Sequence, residues 1–148
     1  MTKAAYDADF YAWTQAQAEA LRTKDWPALD VDNLAEEIDS LGRSDRHPIR
    51  HQLERLLRHL LKWAYQVTAR PGRGKRWRTS IRQARRAIAD RIEESPSLQA
   101  YPVEQWGRAY RRARQDAADE TGLPLATFPE TCPWALAQVL DEDFWPEG

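Results

Sequence analysis

Apolar side chains recur every three or four residues along almost the whole chain, and strict alternation of apolar and polar positions is absent. The first pattern places apolar side chains on one face of an α-helix, whereas alternation is typical of a half-buried strand. Valine and isoleucine, which favour strands, number only four and five among 148 residues. The sequence therefore predicts an all-α, single-domain helical bundle over residues 1–148, with five main helices and a short C-terminal helix.

Capping and turn residues predict two helices in the N-terminal third. The first spans about residues 8–22 with Asp7 as its N-cap. The second spans about residues 31–41, with Asp30 as its N-cap and Gly42 as its C-terminal stop. We expect the apolar residues of both helices to face a core; they are Phe10, Trp13, Ala16, Ala20, Leu21, Leu34, Ile38 and Leu41.

The third predicted helix, at about residues 45–67, carries the longest apolar seam. Its members are Ile49, Leu53, Leu56, Leu57, Leu60, Leu61, Trp63, Ala64 and Val67. One rod made of the second and third helices would span roughly 55 Å, which exceeds the roughly 40 Å expected of one compact chain of this size. Pro48 also removes a backbone donor from the helix interior. We therefore expect a break or a sharp kink between Gly42 and Pro48.

The C-terminal half predicts two long helices and one short helix. The fourth helix spans about residues 75–94 after a turn or mobile loop at residues 70–74. The fifth spans about residues 103–120 and ends near Gly122, and a short helix at residues 132–140 is capped by Thr131. The predicted inward positions are Trp77, Ile81, Ala84, Ile88, Ile92, Trp106, Tyr110, Ala113 and Ala117. Most of the seven tryptophans are expected to anchor the core.

Charge is divided into three blocks, with net charges of −6 for residues 1–42, +12 for residues 43–91 and −7 for residues 92–148. The total is −1, with 42% hydrophobic and 30% charged residues, which excludes a disordered chain and a disulfide scaffold. Blocks of opposite sign attract each other within one chain or between chains. The pattern therefore favours an interaction role for these segments.

The basic segment 43–91 is a candidate nucleic-acid-binding surface. Cations on neighbouring helices can release counterions from a phosphate backbone. The candidate binding residues are Arg55, Arg58, Lys62, Arg78, Arg82 and Arg85. Pairing of these cations with carboxylates of the flanking acidic segments is the alternative interpretation, and the sequence pI near 6.3 favours it.

The remaining chemistry-bearing residues give weaker signals. His47 and His51 are four residues apart, as two metal ligands on one helix face would be, but nearby arginines would repel a cation. Glu36 and Glu37 are adjacent and point about 100° apart, so they do not converge on one substrate. Cys132 is interpreted as a buried or inert thiol. We therefore predict no catalytic residue and no cofactor.

The expected location is the cytoplasm. The first residues lack the basic and apolar parts of a signal peptide, and no run of about 18 apolar residues is present. A single cysteine, Cys132, forms no internal disulfide, which fits a reducing compartment. We expect no membrane partner.

Eight short stretches, in order along nearly the whole chain, form a distinctive set. They are DFYAW at 9–13, NLAEEI at 33–38, LGRS at 41–44, HLLKWAYQ at 59–66, SPSL at 95–98, ETGL at 120–123, FPETCP at 128–133 and LDEDFWP at 140–146. Together they resemble the bacterial family catalogued as "domain of unknown function 29", from which this sequence departs at His47-Pro48. The resemblance implies a small all-α protein, and it implies no activity because the family's function is not established.

Three functional hypotheses follow. The first is a non-enzymatic binding or interaction protein, acting as a protein–protein adaptor or as a homo-oligomer through its charge blocks. The second is a nucleic-acid-binding protein that uses the basic segment 43–91. The third is a metal-assisted enzyme that uses His47 and His51 with a carboxylate from the second predicted helix.

Overall fold

The computed structural model describes residues 3–147, with side-chain burial described from residue 5 onward except at Asp45. Within this range no strand is present, which confirms the all-α class. The α-helices are α1 (Lys3–Ala8), α2 (Phe10–Arg22), α3 (Val31–Tyr65), α4 (Arg70–Glu94), α5 (Tyr101–Thr121) and α6 (Leu136–Leu140). Short 3₁₀ helices lie at Trp26–Ala28, Val67–Ala69, Pro96–Ala100 and Leu125–Thr127.

Contacts within the chain divide it into two compact units, Met1–Asp45 and Arg46–Gly148, here called the N-terminal and C-terminal units. Each unit is described by itself below. The single domain over residues 1–148 stays a prediction.

The expected break between Gly42 and Pro48 is wrong, because both residues lie inside the continuous helix α3. Gly42 therefore does not stop a helix. A proline in a helix interior costs about 3 kcal/mol of stability, and α3 nevertheless continues through Pro48. Helix α3 instead runs unbroken over 35 residues.

In the N-terminal unit, a buried glutamine ties α2 to the segment that leads into α3. The Gln17 side-chain amide donates to the Ala28 carbonyl at 3.2 Å, and its oxygen accepts from the Asp30 N–H at 2.7 Å. The Trp13 indole N–H donates to the Asp30 carboxylate at 3.1 Å. Asp9, rather than the predicted Asp7, caps α2 by accepting from the Ala12 N–H. These bonds satisfy buried polar groups that would otherwise oppose folding.

Several residues that the sequence analysis assigned to the core are exposed. They are Phe10, Leu21, Ile38, Leu41 and Val67. Trp26 is also exposed, whereas Trp13 and Trp77 are buried as expected of core anchors. Helical spacing identifies the apolar face of a helix, but the presence of a neighbouring element decides whether that face is covered.

The C-terminal unit is built around the leucine seam of α3. The buried set from α3, α4 and α5 includes Ile49, Leu53, Leu56, Leu57, Leu60, Leu61, Ile81, Ala84, Ile88, Tyr110, Ala113 and Ala117, which confirms most of the predicted inward positions. Phe128 and Val139, from the C-terminal segment that follows α5 (residues 122–147), complete this core. The C-terminal segment therefore packs against the helices rather than extending away from them.

Three helix boundaries in the C-terminal unit can be compared with the sequence predictions: one agrees and two differ. The expected loop at residues 70–74 is wrong, since α4 begins at Arg70. Gly122 ends α5 with φ of 72°, a left-handed conformation that favours glycine, as the sequence predicted. The short helix is limited to Leu136–Leu140, and its start is tied by the Ala135 N–H donating to the Gln138 side chain rather than by Thr131.

Candidate interaction surfaces

Three of the six predicted nucleic-acid-binding cations hold α3 to its neighbours. Arg58 lies 3.5 Å from the Glu120 carboxylate of α5, and the Lys62 ammonium forms an ion pair with the same carboxylate. Desolvation tends to raise the pKa of the Glu120 carboxyl, but the Lys62 hydrogen bond and the two cations hold it below its usual value. Arg55 donates to Ser80 and Gln83 of α4 at 3.4 and 3.1 Å. The structure thus gives these three cations partners within the unit.

Arg85, the fourth of these cations, anchors the C-terminal segment. It is only 2% exposed, and its guanidinium donates to the carbonyls of Val139, Glu142 and Phe144 at 2.8, 3.5 and 2.8 Å. Burial lowers the pKa of Arg85, and the nearby carboxylates of Asp141 and Glu142 oppose that change. A side chain enclosed in this way offers no surface to a phosphate backbone.

Arg78 and Arg82 are the two predicted binding cations that remain exposed. Arg78 lies 5.4 Å from the Trp63 ring and 5.6 Å from the Trp145 ring, and Arg82 lies 5.7 Å from Trp145. Such cation–π contacts fix the guanidinium groups against aromatic rings. Their charges remain at the surface of α4.

Arg78 and Arg82 belong to a row of four cations that we call the α4 ridge, formed by Lys75, Arg78, Arg82 and Arg86. Spacings of three, four and four residues place them within about 80° of the helix circumference and along roughly 16 Å of its length. All four are exposed, and no ion pair with a described residue involves any of them. Glu142 and Asp143 line a small cleft of about 170 Å³ beside Arg82 and Arg86. At the other end of the ridge, the described residues that surround Lys75 and Arg78 in a second cleft include no carboxylate.

At that end lies a cleft of about 620 Å³, here called the α4 cleft. Its lining comprises Trp63, Val67, Arg70, Pro71, Gly74, Lys75 and Arg78. Arg70 lies 4.8 Å over the Trp63 ring and donates to the Trp63 carbonyl at 2.7 Å. The lining of the cleft therefore combines apolar residues with cations.

His59 lies among cations, and its protonation is coupled to folding. Its Nδ1 is 2.8 Å from the Arg55 carbonyl, an acceptor, so Nδ1 carries the proton. Burial, together with the charges of Lys62, Arg58 and Arg55, lowers the pKa of His59 to about 4. The neutral imidazole is therefore the form that the fold favours.

The depressed pKa of His59 predicts a pH-dependent loss of stability. Its ordinary pKa is about 6.5, so between pH 6.5 and pH 4 the unfolded chain binds the proton more readily than the folded chain. We expect the free energy of unfolding to fall as pH drops through this window, and His59→Gln to make that fall shallower. Urea unfolding at several pH values tests this, with the exposed His51→Gln as the control. Equal slopes for both variants would contradict it.

The two predicted metal ligands, His47 and His51, are exposed on α3 with ring centroids 6.4 Å apart. In the part of the chain that the structure describes, no three His, Cys, Asp or Glu side chains come together in a way that could hold a metal ion. The assignment of His47 and His51 as metal ligands stays a prediction.

Cys132 lies in a cavity of about 490 Å³ between α5 and the C-terminal segment, lined by Trp106, Tyr110 and Arg111 among others. Burial raises the pKa of the Cys132 thiol, and it also raises the pKa of the Tyr110 hydroxyl. A thiol is nucleophilic only as a thiolate, so these shifts are consistent with an inert thiol.

The N-terminal unit carries an apolar row on α3, here called the α3 stripe, in which Val31, Ile38 and Leu41 are exposed and Leu34 is half-buried. Ile38 is 65% exposed and Leu41 is 71% exposed. Spacings of three, four and three residues place all four within about 80° of the helix circumference. Leu34, Ile38 and Leu41 were predicted from the sequence to face a core, whereas Val31 was not.

Carboxylates lie beside the α3 stripe. Asp32, Glu36 and Asp39 are exposed on the same stretch of α3. Glu36 has a loose, solvent-exposed ion pair with Arg43 at 3.8 Å, and no ion pair within residues 3–147 involves Asp32 or Asp39. The stripe is therefore an apolar surface with an acidic border.

Comparison with known proteins identifies the family but no relative of known activity. The family model described as "Domain of unknown function DUF29" matches residues 5–145. The chain belongs to the DUF29 family. No curated protein and no solved structure gives a significant match. Among the described residues, we find no helix with the length and apolarity needed to cross a membrane. Membership in DUF29 thus confirms the resemblance, and it adds no activity.

Proposed function

We propose that this DUF29 protein is a non-enzymatic interaction module that binds a protein partner through the α3 stripe. The observation that carries the proposal is the exposure of Ile38 and Leu41 on one helix face. Exposed aliphatic residues scattered singly are ordinary, whereas a contiguous apolar row bordered by polar groups is typical of a docking surface. Rows at this spacing are typical of recognition between helices.

The partner surface that fits the α3 stripe is apolar and flanked by lysine or arginine. Asp32 and Asp39 border the stripe without ion pairs of their own among the described residues, and residues 1–42 carry a net charge of −6. A partner with flanking cations would be steered toward this surface. Two stripes packed against each other would instead bring carboxylates together, and an anionic lipid surface would repel them.

Binding to a synthetic amphipathic peptide, with leucine on one face and lysine on the other, tests the proposal. We expect the wild-type protein to bind it, measured by calorimetry, with affinity that falls as salt is added. Replacing Ile38 and Leu41 together with serine removes apolar contact area without changing charge. We expect this variant to lose about 2 kcal/mol of binding free energy, or roughly thirtyfold in affinity.

Val103→Ser is the matched control, because Val103 on α5 is 66% exposed, like Ile38, but lies in the other unit. It is expected to bind the peptide as the wild type does. A second peptide with glutamate in place of lysine is expected to bind weakly or not at all. Unchanged affinity in the double serine variant, or equal binding of the two peptides, would overturn the proposal.

Nucleic-acid binding is a second candidate, favoured by the exposed cations of the α4 ridge, none of which forms an ion pair with a described residue. It has less support than the sequence suggested, because Arg58, Lys62 and Arg85 already have partners within the chain. If it is correct, a DNA duplex is bound with steep salt dependence and Arg78→Glu weakens binding at every sequence. Absence of binding at low salt would contradict this candidate.

We also propose that the protein is bacterial and acts in the cytoplasm. The lone Cys132, which forms no disulfide within the chain, supports a reducing compartment. The metal-assisted enzyme with His47 and His51 has no further support from the described residues.

A further inference from the structure

We infer that the α3 stripe of one copy docks into the α4 cleft of a second copy of the same chain. The inference rests on the proposed function, since it names the surface that the stripe binds. The stripe presents exposed apolar side chains bordered by carboxylates, and the cleft presents an apolar lining bordered by cations.

The α3 stripe and the α4 cleft both present apolar side chains that could pack against each other. Ile38 and Leu41 project from α3 as uncovered aliphatic side chains. The α4 cleft is lined by the apolar residues Trp63, Val67 and Pro71 and has a volume of about 620 Å³. Packing of aliphatic side chains against these residues would remove apolar area of both copies from water.

The charged parts are complementary in sign. Among the described residues, no ion pair involves Asp32 or Asp39 beside the stripe, and none involves Lys75 or Arg78 beside the cleft, although Arg78 also lies against the Trp63 and Trp145 rings. Docking would place the acidic border of one copy beside the cationic border of the other. Complementary borders raise the rate of association and penalise wrong registers.

A second copy is favoured over a polyanion because the chain carries both halves of the contact. A nucleic acid would satisfy the cations of the ridge but would leave Ile38 and Leu41 exposed to water. The whole chain has a net charge of −1, so two copies approach without strong mutual repulsion. Because stripe and cleft are different surfaces, the contact is either reciprocal within a dimer or repeated along a chain of copies.

The test is a charge-reversal exchange measured by analytical ultracentrifugation. One variant is Asp32→Lys with Asp39→Lys, and the other is Lys75→Glu with Arg78→Glu. We expect the wild type to self-associate in a salt-sensitive manner and each variant alone to do so at least tenfold more weakly, while an equimolar mixture of the two recovers affinity to within about threefold of wild type.

Matched controls reverse the same numbers of charges elsewhere. Glu104→Lys with Glu130→Lys, and Arg108→Glu with Arg111→Glu, change exposed residues outside the stripe and the cleft. Both controls are expected to self-associate as the wild type does. Circular dichroism checks that every variant keeps its helical content.

Three results would overturn the inference: a wild type that stays monomeric at every concentration, self-association that persists in the Ile38 and Leu41 serine variant, or a mixture that fails to recover. If the wild type is monomeric and still binds the lysine-rich peptide through Ile38 and Leu41, the proposed function stands and only the second copy is wrong. If the peptide also fails to bind, both are wrong. A monomer that binds DNA through Lys75 and Arg78 would assign the ridge to nucleic acid instead.

Discussion

Replacing Arg85 with alanine is expected to lower the free energy of unfolding by about 4 kcal/mol. Arg85 is nearly fully buried and donates to the carbonyls of Val139, Glu142 and Phe144. Without the guanidinium these acceptors lose their charge-assisted donor, and the contact 5.5 Å from the Trp145 ring is lost as well. The cost combines the broken hydrogen bonds with the Val139 carbonyl left unsatisfied in a buried position.

Urea unfolding measures this loss, and hydrogen exchange in residues 139–145 shows whether the C-terminal segment detaches first. Arg86→Ala is the matched control, because Arg86 is the next residue along α4 and is exposed. It is expected to change stability by less than about 0.5 kcal/mol. Arg85→Lys is expected to fall between the two, since an ammonium cannot reproduce the planar fork of donors. Equal stability of the two alanine variants would show that Arg85 does not anchor the segment.

Arg85 illustrates which features of the structure the sequence could predict and which it could not. Its charge placed it among the candidate nucleic-acid-binding residues, although it lies four residues after Ile81 and three before Ile88, a spacing that assigns it to the buried face of α4. The pattern therefore contained a signal for burial. The acceptors that make its burial possible come from residues 139–144, more than fifty positions later, and no local pattern indicates them.

Local periodicity predicted those features that depend on neighbours in the sequence. The leucine seam of α3 and the end of α5 at Gly122 were predicted because helix spacing and glycine conformation are local properties. The continuity of α3 through Pro48 and the exposure of Ile38 were not predicted, because helical spacing shows neither whether a proline is tolerated nor whether a neighbouring element covers an apolar face. The candidate docking surface thus combines an apolar pattern that the sequence shows with the exposure of Ile38 and Leu41 that only the structure shows.

Phe128→Ala is expected to cost about 4 kcal/mol of unfolding free energy, as is typical when a fully buried phenylalanine is truncated. The Phe128 ring is inaccessible to solvent and meets the Tyr65 ring edge-on with centroids 5.9 Å apart. Its carbonyl accepts from Arg114 at 3.0 Å, and the next carbonyl, of Pro129, accepts from the Tyr110 hydroxyl at 2.5 Å. Side chain and backbone together therefore fix the irregular segment between α5 and α6 to the core.

The segment around Phe128 has no helical repeat, so the sequence alone gave no reason to place Phe128 in the core; Phe128 is its fully buried side chain, and Leu123, Cys132 and Trp134 pack against the core with part of their surface exposed. Leu125→Ala is the matched control, since Leu125 begins the preceding 3₁₀ turn and is 38% exposed; it is expected to cost about 1 kcal/mol. Phe128→Leu keeps most of the buried volume and is expected to cost less than about 1.5 kcal/mol. If Phe128→Ala and Leu125→Ala prove equally mild in urea unfolding, the segment is held by its backbone hydrogen bonds and not by the buried ring.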